Sequence, residues 1–237
     1  MKKVMFRISL VVFILGGIAL FVAVNHYDII SLKQSVCKAS NTDSQVPLEE
    51  YIEDYRGQSI LEFPSQKYLE TVFSNYPQIE KATVHKTATG NLNISYDLKK
   101  PCILIHADKI YGLTSRGEIV PAGTADYPIV TGLKIRQPNL YFRQPNHTIG
   151  YVLKLADLIN TAGDSTINKI SIINLAHDSG LSMYLDGCQA ELILGRGDEI
   201  TKFKKIAHLA EFLYSLDDDV IAVDMRFDNQ IILKKHF

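Results

Sequence analysis

Residues Ile8 to Val24 carry no charge, and Lys2, Lys3 and Arg7 stand immediately before them. The rest of the 237-residue chain holds no second stretch of that kind. These seventeen residues at ~1.5 Å rise span roughly 26 Å, a little short of a ~30 Å hydrocarbon core. Met5, Phe6 and the aliphatic stem of Arg7 make up the difference. The cations lie on one side only, and the first charge afterwards is acidic, Asp28. The positive-inside bias therefore predicts a cytoplasmic tail over 1–7, a membrane helix over 8–24 and an external body. A cleaved signal peptide needs small residues at the first and third positions before the cut. Ala23 qualifies, but Phe21 stands at the third position, so an uncleaved anchor is expected. Gly16, Ala19 and Ala23 share a helical face on which another helix can approach closely.

The residues after the anchor suffice for one large domain or two small ones. Setting aside Lys2, Lys3 and Arg7, the body holds 22 basic and 26 acidic residues, a net of −4. That balance, with no basic stripe of interleaved aromatics, argues against a nucleic-acid partner. Cys37, Cys102 and Cys188 form no C-x-x-C pair, which excludes zinc-ribbon and thioredoxin chemistry. They read as small buried thiols.

Ser35 to Lys38 reads as a short extended run. Pro47 to Tyr55 then reads as a helix, with Leu48, Tyr51, Ile52 and Tyr55 on one face. A second helix follows Pro64, with Ser65 as N-cap and Tyr68, Leu69, Val72, Phe73 and Tyr76 recurring at helical spacing. The period then changes to two around a turn at Thr89-Gly90-Asn91, giving the order strand, helix, helix, strand, strand. From Pro101 a more strand-rich block begins, with runs at Cys102 to His106, Ile110 to Leu113 and Glu118 to Val120. Ile135 to Gly150 reads as loop, and Tyr151 to Thr161 as helix. Strands are expected at Ile170 to Leu175, Leu181 to Leu185 and Glu191 to Leu194. A long helix over Glu199 to Leu216 precedes strands Val220 to Arg226 and Ile231 to Lys235. In the first of these, Ile221, Val223 and Met225 share one face, and Asp224 and Arg226 the other. The fold class expected is α+β.

No catalytic constellation emerges. The seven histidines include no H-E-x-x-H pair, and no G-x-S-x-G elbow occurs. Asp217-Asp218-Asp219 sits where a helix dipole disfavours negative charge, and reads as solvated loop. Gly195-Arg196-Gly197 opens a helix after a strand, as a nucleotide fingerprint does, but Ile200 occupies the third glycine position. Asp198 and Glu199 would repel a phosphate and serve better as capping residues. No metal, cofactor, nucleic acid or small-molecule substrate is expected.

The strand-helix-helix-strand-strand block resembles a POTRA domain. Its second half, PQIEKATVHKTATGNLNISYDLKKP, resembles the part of FtsQ/DivIB division proteins where a strand pair ends at a proline. The hairpin YGLTSRGEIVPAG and the following YPIVTGL are similar to that family's next segment. The C-terminal pattern is also similar: a strand ending in Leu194-Gly195, a helix containing Lys202, then Asp224, Arg226 and Phe227. Leu98 stands where the family often has an acid, and the tail 1–7 is short.

This resemblance implies a POTRA-like domain over 25–100 and an FtsQ-type β domain over 101–237. It implies a non-enzymatic, bitopic inner-membrane protein of the bacterial divisome, periplasmic in its body and placed at the septum. The implied partners are coiled-coil division proteins of the FtsB/FtsL (DivIC/FtsL) type. The implied partner site lies on the last two strands, with Phe227 as anchor and Asp224, Arg226, Ile231 and Leu233 around it. A C-terminal β-edge suits strand addition, and Lys234 and Lys235 guard such an edge against indiscriminate pairing. Asp224 with Arg226 as a plain surface pair, and Ile231 as a core residue, are the plainer readings. Two other functions are weighed: a POTRA-bearing component of a secretion or pilus machine, and a membrane-anchored cell-wall enzyme.

Overall fold

A computed structural model describes residues 12–22, 31–41, 46–124, 126–135, 138–143, 147–178, 180–227 and 230–236. A helix, α1, covers residues 12–22 with exposed apolar side chains. The expected span Ile8 to Val24 runs past both its ends, outside the described residues, and the expected tail 1–7 lies outside them too. Among the described residues no helix is long and apolar enough to cross a membrane. The architecture is mixed α and β, and the chain divides after Lys99 into two compact units.

In the first unit, β3 (Asn91–Leu98) is central. It pairs in parallel with β1 (Gln34–Ala39) and antiparallel with β2 (Ile79–Lys86). Leu92, Ile94 and Tyr96 alternate inward from β3, as their period of two requires. They meet Tyr68 and Val72 of α2 (Ser65–Asn75) together with Leu48, Ile52, Ile60 and Phe63. The Tyr96 hydroxyl accepts from Val46 N at 2.7 Å, so its one polar atom is satisfied in the core. Two expectations change here. Pro47 to Tyr55 is not an α-helix but two 3-10 turns, Leu48–Tyr51 and Glu53–Tyr55. An α-helix would stack Glu49 over Glu53 and Glu50 over Asp54, like charges four apart with no base in the last turn. Ser65 is the first helical residue rather than a cap: Pro64 holds the N-cap position and makes no side-chain capping hydrogen bond.

The second unit is built on a nine-stranded sheet in the order β12-β11-β10-β9-β8-β7-β4-β5-β6. The strands are β4 (Ile103–His106), β5 (Ile110–Leu113), β6 (Ile119–Pro121), β7 (Ile129–Thr131), β8 (Ile170–His177), β9 (Gly180–Leu185), β10 (Glu191–Gly195), β11 (Val220–Asp224) and β12 (Ile232–Lys235). Pairs β4·β7, β7·β8 and β10·β11 are parallel and the rest antiparallel. Two of the parallel joins need helical crossovers. Helix α3 (His147–Thr161) links β7 to β8, and α4 (Glu199–His208) with α5 (Ala210–Tyr214) link β10 to β11. Their apolar stripes, led by Val152, Leu155, Phe203, Ile206 and Leu213, pack into one core with Ile103, Ile105, Val130, Ile173, Met183, Leu192 and Val223.

The single long helix expected over Glu199 to Leu216 is interrupted at Leu209. There the backbone departs from helical values, with φ −98° and ψ 10°, and the Leu209 N–H is shared between Lys205 O and Ile206 O. The loop expected over Ile135 to Gly150 gives way to α3 at His147, and Leu140 bridges Ile119 beside β6. Strand β7 falls where no strand was expected.

Candidate functional site

The crossover through α4 and α5 lays β11 parallel to β10, in the register Glu191↔Ala222, Leu192↔Val223, Ile193↔Asp224. Strand β12 returns antiparallel at the sheet's margin, with all four residues exposed. Its far side pairs with no strand among the described residues. The expected face assignment of β11 fails at one point. A bulge between Val220 and Ala222 turns Ile221 outward, 46% exposed, while Val220 and Val223 both reach the core. An extra residue in one strand breaks the period of two.

Asp224 lies on the opposite side of β11 from Val223. Its side chain is only 3% exposed, and Arg226 grips it in a fork: Nε donates to Oδ1 at 2.8 Å and Nη2 to Oδ2 at 2.6 Å. The Arg226 backbone N–H also donates to Oδ1 at 3.2 Å. These bonds, the guanidinium's foremost, hold the carboxyl below its ordinary range against the opposing effect of burial. The two residues are therefore more than a surface pair, because one partner is buried. The Arg226 guanidinium carbon in turn sits 5.7 Å from the centre of the Phe227 ring. Phe227 is 40% exposed, and its carbonyl accepts from Lys205 Nζ of α4 at 2.6 Å. The far end of the hairpin is tied by Lys235 Nζ to Asp219 Oδ2 at 3.0 Å, and by His236 N to Asp219 O at 2.8 Å.

Asp224, Arg226 and Phe227 thus form one contiguous group. Ile231 packs against the core, and Leu233 lies across from Val223 with its side chain half exposed. Three contributors were not expected. Ile232, exposed across from Asp224, follows from the alternation of β12 itself. Asp219 was read as solvated loop, and only the hairpin register brings Lys235 to it. Lys205 gives no sequence signal, since 22 residues separate it from the carbonyl it holds.

Two other polar groups test for chemistry. Ser182 Oγ donates to Glu191 Oε1 at 2.6 Å, and His177 Nε2 lies 4.0 Å from that oxygen. The acid, not the imidazole, faces the hydroxyl, and Ser182 is fully buried, so no activated nucleophile results. The Gly195-Arg196-Gly197 turn holds both glycines at positive φ, 74° and 68°, and Asp198 accepts from Thr201 N at 3.3 Å as N-cap. Lys202 Nζ bonds the carbonyls of Arg196 and Gly197, so this turn is closed by a cation rather than shaped for a phosphate. Among the described residues no three His, Cys, Asp or Glu side chains gather as metal ligands.

The family model for the C-terminal region of the cell division protein FtsQ/DivIB matches residues 103–226, from the start of β4 to the guanidinium that grips Asp224. The cell division protein FtsQ of Geotalea daltonii is 21% identical over 166 residues, covering 67% of this chain. The match spans 59% of that protein's own length, less than two thirds.

Proposed function

This chain belongs to the FtsQ/DivIB family of cell division proteins, and from that premise we propose that it is a non-enzymatic, membrane-anchored scaffold of the divisome. Its body faces the periplasm at the septum. It captures a coiled-coil division protein of the FtsB/FtsL type by adding a strand of that partner to β12. The observation that carries this reading is the margin of the nine-stranded sheet, where β12 pairs with β11 on one side and with no strand on the other among the described residues. An unpaired strand offers a row of backbone donors and acceptors, and alternate side chains then select the sequence that joins it. Phe227 supplies the apolar anchor, held by Lys205 through its carbonyl and by Arg226 across its ring. Asp224 fixes Arg226, while Leu233 and Ile231 shape the flank beside the core. Few residues carry most of an interface's energy, and a fixed aromatic beside an oriented arginine is the usual composition of such a group.

The test uses the full-length chain in its host. Depletion is expected to give long undivided cells, and a fluorescent fusion to gather at midcell. Phe227→Asp is expected to keep the thermal melt of the purified protein while losing partner capture and division. Normal capture with Phe227→Asp would remove the site assignment. Normal division after depletion would remove the function.

A further inference from the structure

Two hydrogen bonds fix which way the backbone of β12 points. His236 N donates to Asp219 O at 2.8 Å, toward β11. Successive residues of a strand turn their N–H and C=O groups to opposite sides. Lys234 and Ile232 therefore also face β11, and Leu233 and Lys235 face the open side. The neighbouring strand agrees independently. Met225 N donates to Ile193 O at 2.8 Å, toward β10. Val223, two residues back, faces β10 as well, which leaves Ala222 and Asp224 to serve β12. Their partners in the register are Lys234 and Ile232. Val223 and Leu233 thus form a facing pair that exchanges no hydrogen bond.

The side chains follow a second line. One row of directly facing residues crosses the sheet from Val130 through Ile173, Met183, Leu192 and Val223 to Leu233. Facing residues lie on the same side of a sheet, so this is a single apolar stripe. All of it is 0% exposed until Leu233, which is 38% exposed. The stripe stops one strand short of cover.

We propose that Leu233 and Lys235 carry the backbone groups to which a partner's extended segment bonds, and that this segment sets an apolar residue across from Leu233 to complete the buried row. The proposal rests on the edge reading above and gives it a phase. The backbone groups of Ile232 and Lys234 are spent on β11, so only alternate residues of β12 are left to bond a newcomer. The occupant is extended because an extended chain presents its own donors and acceptors at the matching spacing. Its residue beside Leu233 is apolar because that position extends the core row into the new strand. A segment slipped by one residue would turn its other face to Leu233, so phase and side chain select together.

The test uses the purified full-length chain in detergent, with the host's FtsB/FtsL-type protein as probe and amide exchange followed residue by residue. In the free chain Leu233 and Lys235 are expected to exchange fast and Lys234 slowly, and the probe should slow the first two. Leu233→Ala keeps the outward N–H and loses the side chain. It is expected to weaken probe binding about tenfold, as a partly buried leucine allows. Leu233→Pro also deletes the N–H, and proline is tolerated on an edge strand where no ladder bond is lost. Binding should fall about tenfold further, because an acceptor on the segment is left unpaired. The thermal midpoints of these two variants should agree, whereas Lys234→Pro, which breaks a bond to β11, should melt lower. Probe binding that leaves Leu233 and Lys235 exchanging fast would overturn the backbone assignment, with the choice of partner left standing. So would fast exchange at Lys234 in the free chain, Leu233→Pro binding as tightly as Leu233→Ala, or Leu233→Pro melting below it. Wild-type affinity in Leu233→Ala would overturn the apolar row. No binding of the probe to the wild-type chain would remove the edge reading, and this inference with it.

Discussion

Asp224→Asn tests whether charge organises the hairpin. The substitution keeps shape and removes the negative charge. Its amide nitrogen would face Arg226 Nη2, donor against donor, where Oδ2 now accepts at 2.6 Å. Breaking a fully buried pair costs about 3–5 kcal/mol. Arg226 is 40% exposed in its side chain and can turn to water, so the uncompensated charge does not stay buried. What remains is the loss of a charge-assisted bond, about 1.5–3 kcal/mol. A loss of about 2 kcal/mol is expected, a fall of roughly 6 °C in Tm for a unit of this size. The pH dependence fixes the cause. The Asp224 pKa is lowered on folding from its ordinary 3.8. Its contribution is therefore complete above that value and is lost as pH falls through the lower folded value. Urea midpoints of wild type and variant should differ at pH 7 and converge as pH falls from about 4 to 2. A gap that persists unchanged at pH 2 would refute the argument, because a protonated Asp224 has no charge left to lose.

Gly132→Ala is expected to destabilise by about 2–4 kcal/mol. At φ 81° a new Cβ would stand 2.5 Å from Ala176 N. An unchanged denaturation midpoint would contradict that geometry. Burial first, then Glu49, pushes the Cys37 thiol up to about 11. Alkylation by iodoacetamide at pH 8 should run roughly a hundredfold slower in folded than in urea-unfolded protein, and equal rates would show the thiol to be accessible and ordinary. Lys235→Ala should speed hydrogen exchange at the β12 amides in low salt. Sodium chloride at 1 M should do the same to wild type and nothing further to the variant; equal exchange in low salt would show that the Asp219 tie does not hold the strand.

Much of the fold was legible because local periods were strong. Leu92, Ile94 and Tyr96 announce β3 by alternation, and Val152, Leu155 and Ile159 announce α3 by helical spacing. Three features escaped for definable reasons. Strand β7 has three residues, too few for any period, and only its neighbours β4 and β8 make it a strand. The outward turn of Ile221 depends on a bulge against Lys235 that no pattern within Val220 to Arg226 encodes. The 3-10 turns at Leu48–Tyr51 and Glu53–Tyr55 were written in the run of four acids, but the apolar spacing spoke for a helix more loudly. In the candidate site, Asp224, Arg226 and Phe227 were legible as neighbours in sequence. Lys205 and Asp219 were not, because their contacts form only once α4 and β12 are docked on β11.

The strand order of the second unit also sets a direction. Between β4 and β12 lie six steps of the sheet. Each neighbouring pair is rotated by roughly 20–25° with a constant hand. Strand β12 is therefore turned by about 120–150° from β4 and displaced from it by roughly 29 Å. A tenth strand would continue that screw. The angle at which any added segment leaves the sheet is fixed by the number of strands beneath it, so inserting or deleting one strand would re-aim the segment without altering a single side chain at the margin.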